Sequence, residues 1–474
     1  MKRTDIIQKI FGEDPNTKIV GNFESVSSIA GNSKNAKEGT VFVCLRGKEN
    51  DGHDFAKEAY QNGCRHFLCE RPISLPGDAS VAQVRNLRTH LYKLLSDFYG
   101  IEDNDFVFTA VTGTKGKTTT AVLLTHLLNG GGYSAAYSST LGLFDGETRQ
   151  KTKNTTTDLF CLIPWLSTLK KKGIRHVVIE VSSAALSGGR VYGIPFSLGI
   201  LTSFSKDHIG KGEHGSMAEY LCAKRSLFSL YGIKNAILPK NVLRGEFIVA
   251  DAENVLHLAE EEDEIQNITE RENGQSFLYR GKKAFLSLIG AYNRTNARLA
   301  LVAAAALTGR KEEDFLPYLS DISIPGRYEQ IVHKGVAVVI DYAHNYESFS
   351  AVSKAASLRT SGRLLCVFGS VGDRGEGRRA ALAKAAGEWM DFSVITSDDP
   401  GSESAFSICS EIYSAFEDKE KARIVTDRAA AIRYAFSLCH PGDTLLLLGK
   451  GHERVQKENG MTIPFSERSI VLSL

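Results

Sequence analysis

Thr109-Ala-Val-Thr-Gly-Thr-Lys-Gly-Lys-Thr-Thr-Thr120 is the stretch on which the reading of this chain turns. The apolar run Phe106–Val111 that enters it has the length and content of a buried strand. A glycine loop from Gly113 to Gly116 follows, and from Thr118 to Leu128 the apolar residues recur at helical spacing. Strand, glycine loop and helix bring successive backbone N–H groups to a helix N-terminus, where they can surround a phosphate. On this reading Gly113, Thr114, Lys115, Gly116, Lys117, Thr118 and Thr119 form a nucleotide cradle. Lys117 supplies positive charge to the β- and γ-phosphates, and the Thr118 hydroxyl is placed to bind Mg²⁺. Val111 stands where the longer G-x-x-x-x-G-K-[ST] pattern has its first glycine, so the shorter T-G-T-x-G-K-T form is present. The plain alternative is an ordinary strand-to-helix turn, but Gly-Lys-Thr after an apolar strand rarely arises without a phosphate to hold.

Working outward, 474 residues exceed what one core can organise, and about two to four domains are expected. The composition is that of a soluble globular protein, 42% hydrophobic and 24% charged. A net charge of +2 sets up no global field to recruit nucleic acid or a membrane. No apolar run is long enough to span a bilayer. The N-terminus, Met1 to Ile7, lacks the apolar core of a signal peptide. The eight cysteines are scattered with no C-x-x-C pair, which argues for reduced thiols in a cytoplasmic protein and against a disulfide framework or a zinc site.

Residues 1–100 read as a first unit, with strands at Val41–Leu45 and Cys64–Cys69 and a helix between them at Asp54–Asn62. The polar loop Gly47–Phe55 either binds ligand or turns the chain. A helix from Asn86 to Tyr99 leads into a central domain, residues 101–326, where apolar strands alternate with helices. Its strands are expected at 176–180, 197–202, 235–239 and 247–250, the acidic stretch 260–264 as a solvated turn, and Asn296–Leu307 as a helix packed on the sheet. Such alternation implies a mostly parallel sheet with helices on both faces, and ligands beyond the carboxyl ends of its strands. Near Ile324-Pro-Gly-Arg327 the pattern restarts, with strands at 336–340, 363–368, 392–395 and 444–448 in a further α/β domain, residues 327–474.

Chemistry gathers at the expected strand ends. Glu180 ends a buried strand before Val-Ser-Ser and is placed as a Mg²⁺ ligand, or else as a capping or salt-bridged acid. His208 lies in the loop Ser205-Lys-Asp-His208 after another strand. Lys224 sits on an amphipathic helix, where spacing alone makes it a surface residue. Asp341 directly follows a strand, and Arg327 follows Pro-Gly at the domain junction, placed to neutralise a transferred phosphoryl group.

In order along nearly the whole chain run T-G-T-K-G-K-T-T, E-V-S-S, G-R-V-x-G, D-H, A-K-x-x-L-F, N-R-T-N, P-G-R-Y-E, D-Y-A-H-N, V-F-G-S-V-G-D-R and G-K-G-H-E. This ordered set resembles the Mur ligases, and within them the MurE branch of UDP-N-acetylmuramoyl-tripeptide synthetases. The resemblance implies a three-domain α/β architecture: an N-terminal UDP- and substrate-binding domain, a central P-loop domain with a parallel or mixed sheet, and a Rossmann-like C-terminal domain for the amino acid. It implies an ATP-dependent amide ligase. The terminal carboxylate of UDP-N-acetylmuramoyl-L-alanyl-D-glutamate is phosphorylated to an acyl phosphate, and a free amino acid then displaces phosphate, as a step of peptidoglycan precursor synthesis. Pressing a carboxylate against a triphosphate requires concentrated positive charge, here Lys117, Arg327 and Mg²⁺ ions. The family pattern makes Thr118, Glu180, His208 and Lys224 the metal-side residues, with Lys224 carbamylated so that it carries an anion. It makes Asn293 an adenine contact and Asp341 a ribose contact. Asn154, Thr155, Thr156, Ser182 and Arg190 match positions on the sugar-peptide substrate, and Ser33, within Asn32-Ser-Lys34, matches the uracil side loosely. Arg374, Asp398, Asp399, Gly449 and Glu453 match the amino-acid site. A monomer with no nucleic-acid or membrane partner is expected.

The sequence departs from the family pattern at three places. Lys115 replaces the usual Asn of the phosphate loop, and Ala184 replaces the His of E-V-S-S-H. In Ser397-Asp-Asp-Pro-Gly-Ser-Glu403, Gly401 replaces the Arg of the D-N-P-R motif that pairs the second carboxylate of diaminopimelate. The amino acid therefore stays open between diaminopimelate, lysine and a smaller residue, and Glu453 suits one with a distal ammonium. Two other readings remain: a paralogue joining an amino acid to another carboxylate, such as a folate or a specialised metabolite, and a nucleotide-binding protein without ligase activity.

Overall fold

The strand Val107–Thr112 lies between two parallel neighbours, His176–Glu180 and Phe196–Leu201, and is buried along almost its whole length. A strand covered on both faces has no need of alternating polarity, which is why Val-Phe-Thr-Ala-Val-Thr reads as a continuous run. In this computed structural model the described residues are 10–11, 16–23, 26–47, 50–205, 209–210, 214–239, 254–258, 261–373, 376–458 and 460–474. His208, Arg374 and the expected strand at 247–250 lie outside them.

Contacts group the chain into two compact units, Met1–Ser205 with Leu221–Leu258, and Lys206–Tyr220 with Ala259–Leu474. The first unit holds two sheets. One is five-stranded and mixed, ordered 18–20, 80–83, 66–69, 40–43, 28–30, with only the 18–20 strand antiparallel. In the Gly47–Phe55 loop, Gly52–Phe55 is a 3-10 turn capped by Asp51. Its buried His53 accepts at Nε2 from the N–H groups of Glu70 and Arg71, so this part turns the chain.

The other sheet is eight-stranded, ordered 254–257, 235–238, 196–201, 107–112, 176–180, 135–139, 142–144, 149–150. Its first six strands are parallel and its last two antiparallel. The helix Lys117–Gly130 buries an unbroken run from Thr118 to Thr125 together with Leu127 and Leu128. Because the central strands are parallel, Thr112, Glu180 and Leu201 all end at one edge, and the glycine loop opens there.

The second unit begins differently from the expectation. The βα alternation stops, and Ile265–Arg271, Gly274–Tyr279 and Lys282–Leu286 form an antiparallel three-stranded sheet. Glu261–Glu264 is a short helix, not a solvated turn. Its last residue is buried, because Glu264 receives the guanidinium groups of Arg298 and Arg280. Arg298 belongs to the helix Ala291–Thr308, longer by five residues at its start than the alanine-rich core suggested.

Besides a separate antiparallel hairpin that pairs Val455–Glu458 with Met461–Pro464, the largest sheet of this unit is six-stranded, ordered 329–333, 336–341, 444–448, 364–368, 392–395, 422–424, all parallel except the first. Behind its carboxyl edge lies a fully buried ion pair. Arg428 donates to Glu467 from Nη2 and Nε, at 2.7 and 2.9 Å, and to the Leu448 carbonyl at 2.8 Å. This pair joins the helices Arg428–Ser437 and Glu467–Leu472 to the strand end that carries Gly449. Breaking one half of a buried pair leaves a charge uncompensated, so Arg428→Met is expected to lower the unfolding free energy by about 3–5 kcal/mol. The double variant Arg428→Met/Glu467→Leu is expected to recover most of that loss in urea denaturation.

Candidate active site

The glycine loop is held from several sides within the first unit. Gly113 has φ +148°, and a Cβ placed on it would stand 2.0 Å from Thr202 Oγ1. Only glycine lets the Phe196–Leu201 strand end approach this closely. Thr114 N donates to the Ser203 carbonyl at 2.8 Å, Lys115 N to Ser203 Oγ at 2.9 Å, and Ser205 N to Thr114 Oγ1 at 3.0 Å. Gly116 takes φ +83° and ends the loop where the helix begins. Lys117 curls back, its Nζ donating to the carbonyls of Gly113 and Thr114 at 3.0 and 3.1 Å. Lys224 is not the surface residue its spacing suggested. It is 1% exposed, and its Nζ donates to the same Gly113 carbonyl at 2.7 Å. Two ammonium groups therefore converge on one loop.

Glu180 stands at the end of the adjacent strand, 1% exposed. Its Oε2 accepts from Thr118 Oγ1 at 2.9 Å, from Thr140 N at 2.9 Å and from Thr140 Oγ1 at 3.1 Å. Thr155 Oγ1 lies 3.2 Å from Thr140 Oγ1, placed to donate to it while the Thr140 proton goes to the carboxylate. Thr156 Oγ1 donates to the Glu180 carbonyl at 2.9 Å and accepts from Ser182 N at 3.0 Å. Arg190 Nη1 donates to the Thr156 carbonyl at 3.1 Å, and burial lowers the pKa of this guanidinium. Asn154 is exposed beside them. Thr118, Glu180, Thr155, Thr156, Ser182 and Arg190 thus form one hydrogen-bonded set at the sheet edge. Ser33 is bonded elsewhere, its Oγ donating to Glu58 Oε2 at 3.1 Å.

In the second unit Asn293 is buried, donating to the Ile289 carbonyl at 2.8 Å and accepting from Asn296 at 3.0 Å. Asp341 accepts from the N–H groups of Tyr328 and Ala343 at 2.7 and 2.8 Å, and burial raises its pKa against the pull of Arg327. Arg327 lies over the Tyr342 ring, 4.8 Å from its centroid. Beyond the strands 392–395 and 444–448, Lys450 Nζ reaches Asp399 at 2.7 Å, Glu453 at 2.9 Å and Asp398 at 3.3 Å. Burial disfavours the Lys450 ammonium, but Asp398, Glu453 and Asp399 outweigh it and raise its pKa. Burial raises the pKa of Glu453, with Lys450 opposing. Gly449, at φ +112°, leaves room for Asp398, since a Cβ there would lie 2.8 Å from Asp398 Oδ2.

Models of three families match successive parts of the chain: "Mur ligase family, catalytic domain" at residues 25–99, "Mur ligase middle domain" at 111–304 and "Mur ligase, glutamate ligase domain" at 326–451. A UDP-N-acetylmuramoyl-L-alanyl-D-glutamate–2,6-diaminopimelate ligase of Syntrophomonas wolfei is 31% identical over 466 residues, covering 95% of this chain and 94% of that one. The chain belongs to the Mur ligase family. A solved structure of a ligase with the same substrate name superposes with a TM-score of 0.64 at 24% identity, covering 98% of each chain. MurF of Thermotoga maritima, solved with ADP, gives 0.65 at 21% identity, over 91% of this chain and 96% of that one. The three-domain α/β Mur ligase fold is therefore that of this protein.

Within this Mur ligase, two groups of residues that sequence reading passed over shape the site. Lys450 stands inside the quoted G-K-G-H-E motif, where a lysine reads as surface; its place directly after the apolar strand Thr444–Leu448 was the available signal. Thr140 and Thr202 pin Glu180 and the loop by contacts no local pattern announces, beside Ser203, whose turn the strand ends already placed there. The Gly401 departure also has a structural form. Gly401 has φ +63°, and a Cβ there would fall 1.9 Å from Asp373 Oδ2. Asp373, itself at φ +61°, accepts from Ser402 N at 2.9 Å, so an acid fills the space in front of Gly401. Gly401→Ala is expected to cost about 1–2 kcal/mol from the left-handed backbone alone, and more from the clash. Thermal denaturation should show the added loss reduced when Asp373→Ala is also present.

Proposed function

We propose that this protein is an ATP- and Mg²⁺-dependent ligase that joins a free amino acid to UDP-N-acetylmuramoyl-L-alanyl-D-glutamate in peptidoglycan precursor synthesis. The observation that carries the reading is the Thr118–Glu180 pair beside a loop that receives both Lys117 and Lys224. Thr118 Oγ1 and Glu180 Oε2 are 2.9 Å apart, which suits neighbouring oxygens of an octahedral Mg²⁺ shell with bonds of about 2.0–2.1 Å. The donor set, a hydroxyl and a carboxylate, is the hard-oxygen kind that Mg²⁺ takes.

Bound ATP supplies the phosphoryl group that turns the unreactive carboxylate into an acyl phosphate, which the amine then opens with loss of phosphate. In that scheme Lys117 leaves the loop carbonyls for the nucleotide phosphates, with Lys115 as a further cation at the loop. Gly113, Thr114, Gly116 and Thr119 complete the cradle. Glu180 and Thr118, with His208, hold metal. Lys224 is read as carbamylated when metal is bound, an extension that rests on the family resemblance. As an ammonium it tethers the Gly113 carbonyl, so modification also frees the loop. Asn293 and Asp341 are assigned to adenine and ribose, and Arg327 to the transferred phosphoryl. Asn154, Thr155, Thr156, Ser182 and Arg190 take the sugar-peptide, and Ser33 the uracil side. Arg374, Asp398, Asp399, Gly449 and Glu453 take the amino acid. We assign substrate, ATP and amino acid to residues 1–100, 101–326 and 327–474, a division supported by the three matched ranges. A cytoplasmic location is our further reading, supported by eight free cysteines, and we take the chain to act as a monomer.

The relatives' names carry 2,6-diaminopimelate. Here Asp373 and Gly401 offer its second carboxylate no cation, and Asp398, Asp399 and Glu453 favour a distal ammonium. We therefore read the amino acid as lysine-like. ADP release should be followed with UDP-N-acetylmuramoyl-L-alanyl-D-glutamate and L-lysine, L-ornithine, L-alanine or meso-diaminopimelate. The expected result is turnover with lysine or ornithine and little with diaminopimelate. No turnover with any amino acid would refute the reading, and activity with a folate-type carboxylate instead would favour the paralogue. Lys117→Ala should cut the rate by about 10²–10³, the scale of losing one preorganised charge at the reacting centre. Intact-mass analysis should show Lys224 gaining one CO₂ when bicarbonate and Mg²⁺ are present.

A further inference from the structure

Lys450 is a lysine side chain with no exposure at all, surrounded by three acids. Asp398, Asp399 and Glu453 present carboxylate oxygens within 4.8 Å of one another. Three such groups repel at that distance. Asp398 and Asp399 come from the loop after the strand Phe392–Ile395, and Glu453 from the loop after Thr444–Leu448. The ammonium has three donors on one point, and each carboxylate takes one. A second anchor acts from the hairpin Val455–Glu458/Met461–Pro464. Lys457 N donates to Asp399 Oδ1 at 3.0 Å, Gln456 Nε2 donates to Ser397 Oγ at 3.2 Å, and Glu458 pairs with Gly401 in a parallel bridge.

We propose that Lys450 is a positioning residue for the incoming amino acid: its buried ammonium draws the carboxylates of two separate loops into one pocket, with the hairpin backbone fixing the outer wall. The inference rests on the ligase reading above. Three carboxylates against one ammonium leave the pocket two negative charges in excess, which is what receives the amino acid's own cationic groups. Lys450 itself touches no reacting atom. It sets where the acids stand, and with them the binding of one substrate out of three.

The test is steady-state kinetics of the full-length enzyme, with the amino acid it accepts best from L-lysine, L-ornithine and meso-diaminopimelate, under separate variation of ATP, UDP-N-acetylmuramoyl-L-alanyl-D-glutamate and amino acid. Lys450→Met is expected to raise the amino-acid KM by about tenfold or more, with the KM values for ATP and the nucleotide-sugar within about twofold of wild type. If Lys450→Met does not fold, Lys450→Arg carries the same readout, because a planar fork cannot serve three carboxylates as a point charge does. An unchanged amino-acid KM in the variant that folds would overturn the proposal. So would a uniform rise in all three KM values, which is what a merely structural role would produce. Failure of the wild-type enzyme to make any amide is a separate result, and it refutes the ligase reading itself.

Discussion

One carboxylate oxygen, Glu180 Oε2, organises the first unit. It is buried at the end of a central strand and is satisfied by a helix hydroxyl, a backbone N–H and a loop hydroxyl. A buried anion is tolerated only where donors converge on it. The three groups that do so come from the helix after the glycine loop and from the turn after Ala135–Ser139. The parallel sheet makes that convergence possible, since it delivers the ends of strands distant in sequence to one edge. Thr156, Ser182 and Arg190 then build on the main chain of the same strand end.

The second unit solves a similar problem with the opposite sign. At its sheet edge the buried centre is a cation, Lys450, and the converging groups are acids. Beneath it lies a second buried cation, Arg428, which is satisfied by Glu467 and by the carbonyl oxygens of Leu448 and Ser397. Ser397 and Leu448 border the strand ends from which the acidic loops depart. The charged layer at the surface of the site therefore stands on a second charged layer inside the fold.

How far the sequence spoke depended on how local the determining physics was. The glycine loop, its strand and its helix were legible, because strand periodicity, a Gly-Lys-Thr turn and helical spacing are all properties of one short stretch. The strands 176–180, 336–341, 392–395 and 444–448 were legible for the same reason, since full burial leaves an uninterrupted apolar run. The three-stranded sheet 265–286 was not. Its strand Ile265–Arg271 is mostly exposed and polar, and its helix partner Glu261–Glu264 reads as a solvated acidic run until Arg298 and Arg280 are brought to it. Spacing alone put Lys224 at the surface, where only the family resemblance drew it into the site, and it said nothing of Lys450, because a lysine's burial is decided by acceptors remote in sequence. The short edge strands 18–20 and 422–424 are only three residues each, too brief to show any period.

The left-handed pair Asp373 and Gly401 makes two positions of the chain interdependent. Gly372 and Gly401 both lie under a neighbouring chain segment, with the Pro400 carbonyl 1.8 Å from where a Gly372 side chain would begin and the Asp373 carboxylate equally close to Gly401. An arginine introduced at 401 alone meets a filled space, and the loss of Asp373 alone removes the acceptor that holds Ser402. The two positions are therefore coupled: a side chain at 401 has room only if the Asp373 carboxylate moves, and moving it gives up the bond to Ser402.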